Sequence, residues 1–148
     1  MPRVTRKAGA RSAPARKRVK RLAATKIRKA NRHKKPSGLE STVKSWFDED
    51  GIPCKTEFPI GSNPVCHADF LLGKRTVLEL HGCHWHAHDL CVKSPLKWQQ
   101  ERRRKDAARY RFFRDQGFDV VVIWECEVVQ EPNRVRAMLR AIAANKGK

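Results

Sequence analysis

One stretch limits what this chain can become: Leu78-Glu79-Leu80-His81-Gly82-Cys83-His84-Trp85-His86-Ala87-His88-Asp89-Leu90-Cys91. These fourteen residues hold four histidines, two cysteines, two acids and a tryptophan, which marks them as a seat of chemistry. The run before them, Arg75 to His81, is apolar and β-branched, lies between Gly73 and Gly82, and reads as a strand. Alternate side chains of a strand share a face, so Val77, Glu79 and His81 point one way and Thr76, Leu78 and Leu80 the other. A carboxylate and an imidazole therefore end one strand on the same side.

Past Gly82 the residue types change. Cys83, His88 and Cys91 follow the spacing C-x4-H-x2-C, and a distant Cys126 follows a second apolar run at Val120 to Trp124. Three local ligands and one remote one fit a closed tetrahedral zinc site of the structural kind. Two other readings stay open on spacing alone. The cysteines can be small buried hydrophobes, or zinc can engage His84 or His86 in a catalytic role.

Charge separates the chain into two parts. Residues 1–39 contain 15 Lys or Arg and no Asp or Glu, which leaves 18 basic and 15 acidic residues for the remainder, a body of only +3 within a total of +18. A block of this kind cannot bury enough apolar surface to fold alone and has the electrostatic footprint of a polyanion binder. We therefore expect residues 1–37 to be a largely disordered tail and residues 38–148 to form one α/β domain. The tail lacks the apolar face of a membrane anchor, so nucleic acid is the expected partner and a membrane is not. With no run of 18 apolar residues and no signal-peptide core, the chain is expected in the cytoplasm. An odd count of five cysteines there favours metal ligands or free thiols over disulfides.

Taken in order, Val19 to Arg32 has weak helical spacing within the tail. Ser37 or Ser41 starts a helix to about Asp50 with Leu39, Val43, Trp46 and Phe47 inward, and Glu40 in its first turn is explained by the helix dipole. Ile52 to Ile60 and Val65 to Leu72 read as strands, the second placing Cys66, Ala68, Phe70 and Leu72 on one face and His67, Asp69 and Leu71 on the other. The short turn at Gly73-Lys74 makes the next strand an antiparallel neighbour, which brings Asp69 near Glu79 and His81. Acids that face each other repel unless a cation lies between them, the usual sign of a divalent-metal site. A basic helix from about Leu96 to Gln116 contains Arg102, Arg103 and Arg104, with Ala107, Tyr110, Phe113 and also Phe112 expected toward the core. Then come a buried strand from Phe118 to Trp124 and a last helix from Pro132 to about Ala144. The order predicts an α/β fold with a mixed sheet flanked by helices.

Asp69-Phe70, then His81-Gly82-Cys83-x-Trp85-His86-x-His88, then Trp124-Glu125-Cys126, resemble the very short patch repair endonucleases and their homing-endonuclease relatives. That family lies among the PD-(D/E)XK restriction-endonuclease-like nucleases, and the resemblance covers roughly Glu40 to Cys126. It implies a restriction-endonuclease-like core that hydrolyses phosphodiester bonds of double-stranded DNA with Mg²⁺. Apart from the resemblance, a monomer is expected. Asp69 would ligate the metal together with the backbone carbonyl of Leu80. His86 would be the general base, His81 would support the phosphate or a metal-bound water, and Glu40 would stand behind them. Cys83, His88, Cys91 and Cys126 would hold structural Zn²⁺, while Trp85 and Trp98 would form the aromatic wedge and Arg102, Arg103 and Arg104 would lie against phosphates. Three features depart from the family: His84 replaces an aromatic residue, one extra residue precedes Cys91, and Glu79 supplies an acid that the repair enzymes lack. Glu79 is accordingly expected as an additional metal ligand. The substrate stays divided between a T:G mismatch and a paired homing or mobile-element site, and a non-catalytic zinc-stabilised DNA-binding protein is the rival from another class.

Overall fold

The computed structural model describes residues 37–145. The basic tail with its helical spacing over Val19 to Arg32 lies outside them. The first helix, α1 (Gly38–Glu49), starts where Ser37 Oγ accepts the Glu40 N–H, the cap a serine supplies best. Three strands follow, β1 (Cys54–Ile60), β2 (Cys66–Leu72) and β3 (Thr76–His81), then the long helix α2 (Lys97–Asp115) and the strand β4 (Asp119–Trp124). A short helix, α3 (Glu125–Gln130), and α4 (Pro132–Ala144) complete the described chain. Sequence periodicity missed α3, because its six residues are too few to show a helical stripe.

The sheet runs β1-β2-β3-β4, antiparallel between its first three strands and parallel between β3 and β4. A parallel neighbour requires a long crossover, and α2 with the ligand-rich loop supplies it. One face of the sheet packs Phe70, Leu72, Leu78, Leu80 and Ile123 against Val43 and Phe47 of α1, Val128 of α3, and Val135 and Leu139 of α4. The opposite core gathers Ile60, Ala68, Leu71 and Val77 around Phe113 of α2. Truncating the fully buried Phe113 to alanine should cost about 3–5 kcal/mol.

Three expectations need correction. Cys66 and Ala68, assigned by strict alternation to the face of Phe70, pack in the Phe113 core instead. The cause lies at Asp69: Glu57 opposite it adopts φ 45°, and the β2–β3 ladder ends at the pair Phe70↔Leu78. One irregular position resets the alternation on either side of it. Ala107 faces solvent, because the buried side of α2 is set by other residues described below. β4, expected to be buried throughout, is an edge strand in which Ile123 alone is fully buried.

Gly61 shows how tightly the β1 end is closed. At φ 79°, its missing side chain leaves the space where a Cβ would sit 2.6 Å from Phe112 Cζ and 2.9 Å from the Pro64 carbonyl.

Candidate metal and catalytic centre

The loop after β3 curls back on itself through short-range bonds: the His86 N–H reaches the Gly82 carbonyl (3.1 Å) and the His88 N–H the Cys83 carbonyl (2.9 Å). This winding turns His86 toward the sheet and His88 toward the cysteines. Ala87 between them takes φ 52° and is buried, and Arg103 of α2 holds its carbonyl from Nε at 2.8 Å. Gln99, also buried, clamps the other end by donating to the His84 carbonyl (2.6 Å) while accepting the Leu96 N–H (2.8 Å).

The winding collects Cys83, His88 and Cys91, and the start of α3 delivers Cys126, so that all four ligand atoms lie within 4.8 Å of one another. From His88 Nδ1 the three sulfurs stand at 3.7 Å (Cys83), 3.5 Å (Cys91) and 3.3 Å (Cys126). With Zn–S near 2.3 Å and Zn–N near 2.0–2.1 Å, the edge of a tetrahedron between sulfur and nitrogen is roughly 3.6 Å. The set therefore fits a zinc ion in both chemistry and size. Trp124 stacks flat on His88 (4.2 Å, 13°), and the Glu125 carboxylate accepts the Cys83 N–H at 3.2 Å, so the Trp-Glu-Cys run supports the cluster with all three side chains. Neither His84 nor His86 belongs to this cluster.

A second cluster lies at the end of β3. His81 and His86 stack face to face (3.6 Å, 18°), and His86 Nδ1 meets Asp106 Oδ2 at 2.6 Å. Burial opposes ionisation of Asp106, but the His86 hydrogen bond and the charges around it hold the carboxyl below its ordinary range. Asp106 is thus a standing acceptor that orients the His86 ring. Burial, with the His86 charge adding to it, lowers His81 to about 4, so His81 is neutral near pH 7. The Tyr110 hydroxyl sits 2.7 Å from His81 Nε2, and burial lifts that phenol well above its usual range, so the hydroxyl keeps its proton for the imidazole.

Asp69 and Glu79 complete the polar seam. Leu80 lies past the last β2–β3 pair, and its N–H is satisfied by Asp69 Oδ2 at 2.8 Å. Glu79 is buried, and both its oxygens are engaged by Arg109 of α2, from Nε (3.0 Å) and Nη2 (3.2 Å). Arg109 Nη2 also bonds the His67 carbonyl. Burial pushes the Glu79 carboxyl up to about 7, against the pull of the Arg109 hydrogen bond and with the help of the Asp69 charge.

The other predicted positions are spread around this seam. Glu40 accepts from Ser37 Oγ (2.9 Å) at the start of α1, the capping arrangement its place in the first turn suggests. Trp85 (66 % exposed) and Trp98 (44 %) stand 5.9 Å apart at a tilt, with His84 against both. Arg102 and Arg104 are open to solvent, while Arg103 is drawn into the loop by the Ala87 carbonyl and Asp89.

Sequence reasoning missed Gln99, Asp106 and Arg109, gave Glu125 no role of its own within the Trp-Glu-Cys run, and read Tyr110 only as core. A signal for most of them exists. Gln99, Arg103, Asp106, Tyr110 and Phe113 follow the 4-3-4-3 spacing of one helix face, so the inward stripe of α2 is polar for most of its length. A stripe of this kind is what a helix presents to a polar site.

No protein-family model and no curated protein matches the chain. Among solved structures, the catalytic domain of the homing endonuclease I-Bth0305I aligns with 76 % of this chain and 100 % of its own length, at 18 % identity and a TM-score of 0.53. The chain is similar in fold to that domain. At this identity the likeness concerns the fold, and chemistry must be argued from the residues. Among the described residues no helix is long and apolar enough to cross a membrane.

Proposed function

We propose that this protein is a Mg²⁺-dependent DNA endonuclease with a restriction-endonuclease-like core of the very-short-patch-repair type. The observation that carries the reading is the convergence of Asp69, His81, His86 and Asp106 at one end of a sheet whose fold is like that of a homing-endonuclease catalytic domain. Asp69 and the Leu80 carbonyl would hold the ion, an oxygen donor set suited to a hard cation. In an extended strand the N–H and C=O of one residue point to the same side, so the Leu80 carbonyl faces the strand that carries Asp69. When bound, Mg²⁺ supplies Lewis-acid polarisation of the phosphate and stabilisation of the leaving oxygen.

The chain's own residues do the rest. Asp106 fixes His86 Nδ1 as the protonated nitrogen, which leaves Nε2 as the base that takes a proton from water. His81, neutral and in contact with Tyr110, offers an uncharged imidazole beside it. The zinc-sized cluster holds the loop that carries His86 and takes no part in the chemistry. Residues 1–37 act as a DNA-binding tail for the catalytic domain of residues 38–148, since their excess positive charge supplies sequence-independent phosphate affinity. Trp85 and Trp98 are the aromatic contacts to bases, and Arg102 and Arg104 face phosphates.

Two substrates remain in competition. The fold likeness favours a paired target site, and the exposed tryptophan pair favours a distorted one such as a T:G mismatch. The test is Mg²⁺-dependent cleavage of otherwise identical T:G-mismatched and paired duplexes, with Asp69→Ala as control. Cutting that is lost in Asp69→Ala supports the endonuclease, and the preferred duplex identifies its class. Cleavage by Asp69→Ala at the unsubstituted rate would refute the site, and tight binding without cleavage of either duplex would support a non-catalytic DNA-binding role.

A further inference from the structure

Glu79 was expected to join Asp69 in holding a divalent ion, because two acids on adjacent strands need a positive charge between them. The structure contains such a charge already. Arg109 reaches in from α2 and engages both Glu79 oxygens side-on, with Nε at 3.0 Å and Nη2 at 3.2 Å, and its third contact is the His67 carbonyl of β2. The guanidinium also lies 5.0 Å from the ring of Phe113, one turn further along α2 and fully buried. It is thus braced by a carboxylate, a carbonyl and an aromatic face, the planar two-pronged recognition at which arginine is not replaceable by lysine.

A metal ion that takes both Glu79 oxygens displaces these hydrogen bonds, and one that takes a single oxygen sets a dication against the guanidinium. The first would leave a mostly covered guanidinium beside a dication with no anion of its own, which is the costly way to break a buried pair. Arginine also stays protonated at any pH the protein meets, so the cationic half of the pair does not titrate.

We propose that Arg109 is an internal cation that reserves Glu79, so that a divalent ion on this face is held through Asp69 without Glu79, and Glu79 is a positioning residue for Arg109. This rests on the endonuclease reading above. It gives one chain a motif that looks like a two-carboxylate site and behaves as a one-carboxylate site.

Mn²⁺ binding to the full, zinc-loaded chain, followed by electron paramagnetic resonance, tests it apart from activity. Asp69→Ala should weaken Mn²⁺ at least tenfold, while Glu79→Gln should stay within about threefold of the unsubstituted protein. Arg109→Met releases Glu79 and should tighten Mn²⁺ about tenfold or more, and adding Glu79→Gln to it should return the affinity to its starting value. A tenfold loss in Glu79→Gln alone would overturn the proposal, and that arm decides even if Arg109→Met does not fold. An Arg109→Met protein that folds with unchanged affinity would overturn it as well. Failure of the endonuclease reading looks different: the unsubstituted protein would then bind no Mn²⁺ that depends on Asp69, or would bind it and cut no DNA.

Discussion

The two ligand clusters of this protein sit a few residues apart in sequence and are built on opposite principles. Cys83, His88, Cys91 and Cys126 face one another at the separations of a tetrahedral ligand set, and a single ion would satisfy all four. His81, His86, Asp106, Glu79 and Asp69 are satisfied by one another and by α2: ring on ring, imidazole on carboxylate, carboxylate on guanidinium. A sulfur-rich set that closes on itself holds structure. An oxygen and nitrogen set in which a carboxylate orients an imidazole leaves the far ring nitrogen free to take a proton. Proximity of histidines to acids therefore teaches less than the question of which atoms each group already serves.

The comparison breaks first at Asp69. Asp69→Ala should lower cleavage by at least about 10³-fold with DNA affinity nearly unchanged, as measured by rate assays beside equilibrium binding. Retained cleavage would remove the polar seam from the chemistry. His86→Ala should cost about 10²–10⁴-fold in rate. Asp106→Asn, which keeps the ring in place but loses the charge behind it, should cost about 10–100-fold, by analogy with the effect of removing a histidine's orienting partner. Equal losses in the two would mean that Asp106 does more than orient.

For the sulfur cluster the expected loss is structural. Chelation, or Cys126→Ser, should release bound zinc, lower the melting temperature and remove cleavage together. If chelation stops cleavage while the melting temperature stays put, the cluster is catalytic and the contrast fails.

Smaller effects sharpen the picture. Deleting residues 1–36 removes all 15 basic residues of the tail. If about eight of them meet phosphates, the slope of log affinity against log salt should fall by about seven. The rate on saturating DNA should hold.

The smallest change is expected far from both clusters. The side-chain hydrogen bonds of Arg140 and Arg136 on α4 hold the Asp50 carboxyl down to about 2, against 3.8 for the free group. A carboxyl depressed in the folded state stabilises it above its unfolded pKa, and that contribution fades as pH falls toward 2. Asp50→Asn should lower the melting temperature slightly near neutrality and flatten its fall in acid, leaving cleavage unaltered.

Much of the fold was legible because its signals are local. Alternation and turn residues located β1, β2 and β3, and Ser37 marked the start of α1. Spacing alone proposed the Cys-His set, with only Cys126 depending on the fold to arrive. Asp69 was legible as an acid in a strand, while its effect on the sheet was not. The reset of alternation that moves Ala68 to the other core depends on how Glu57 and Leu80 meet it across two ladders.

The amino-acid order by itself determined which groups are available: four ligands with zinc spacing, an acid and a histidine ending one strand, and a charge excess confined to one end. Which partner each group takes was settled when distant segments folded onto one another. Asp106, Arg109 and Tyr110 lie 20 to 30 residues from the side chains they serve. They arrive because the parallel crossover lays the polar stripe of α2 across the end of β3. A charge buried there must be met by whatever the helix presents, so Glu79 receives an arginine and His86 receives an aspartate. Sequence separation carries no record of that choice, because the match is made by burial and hydrogen-bond geometry after the chain has folded.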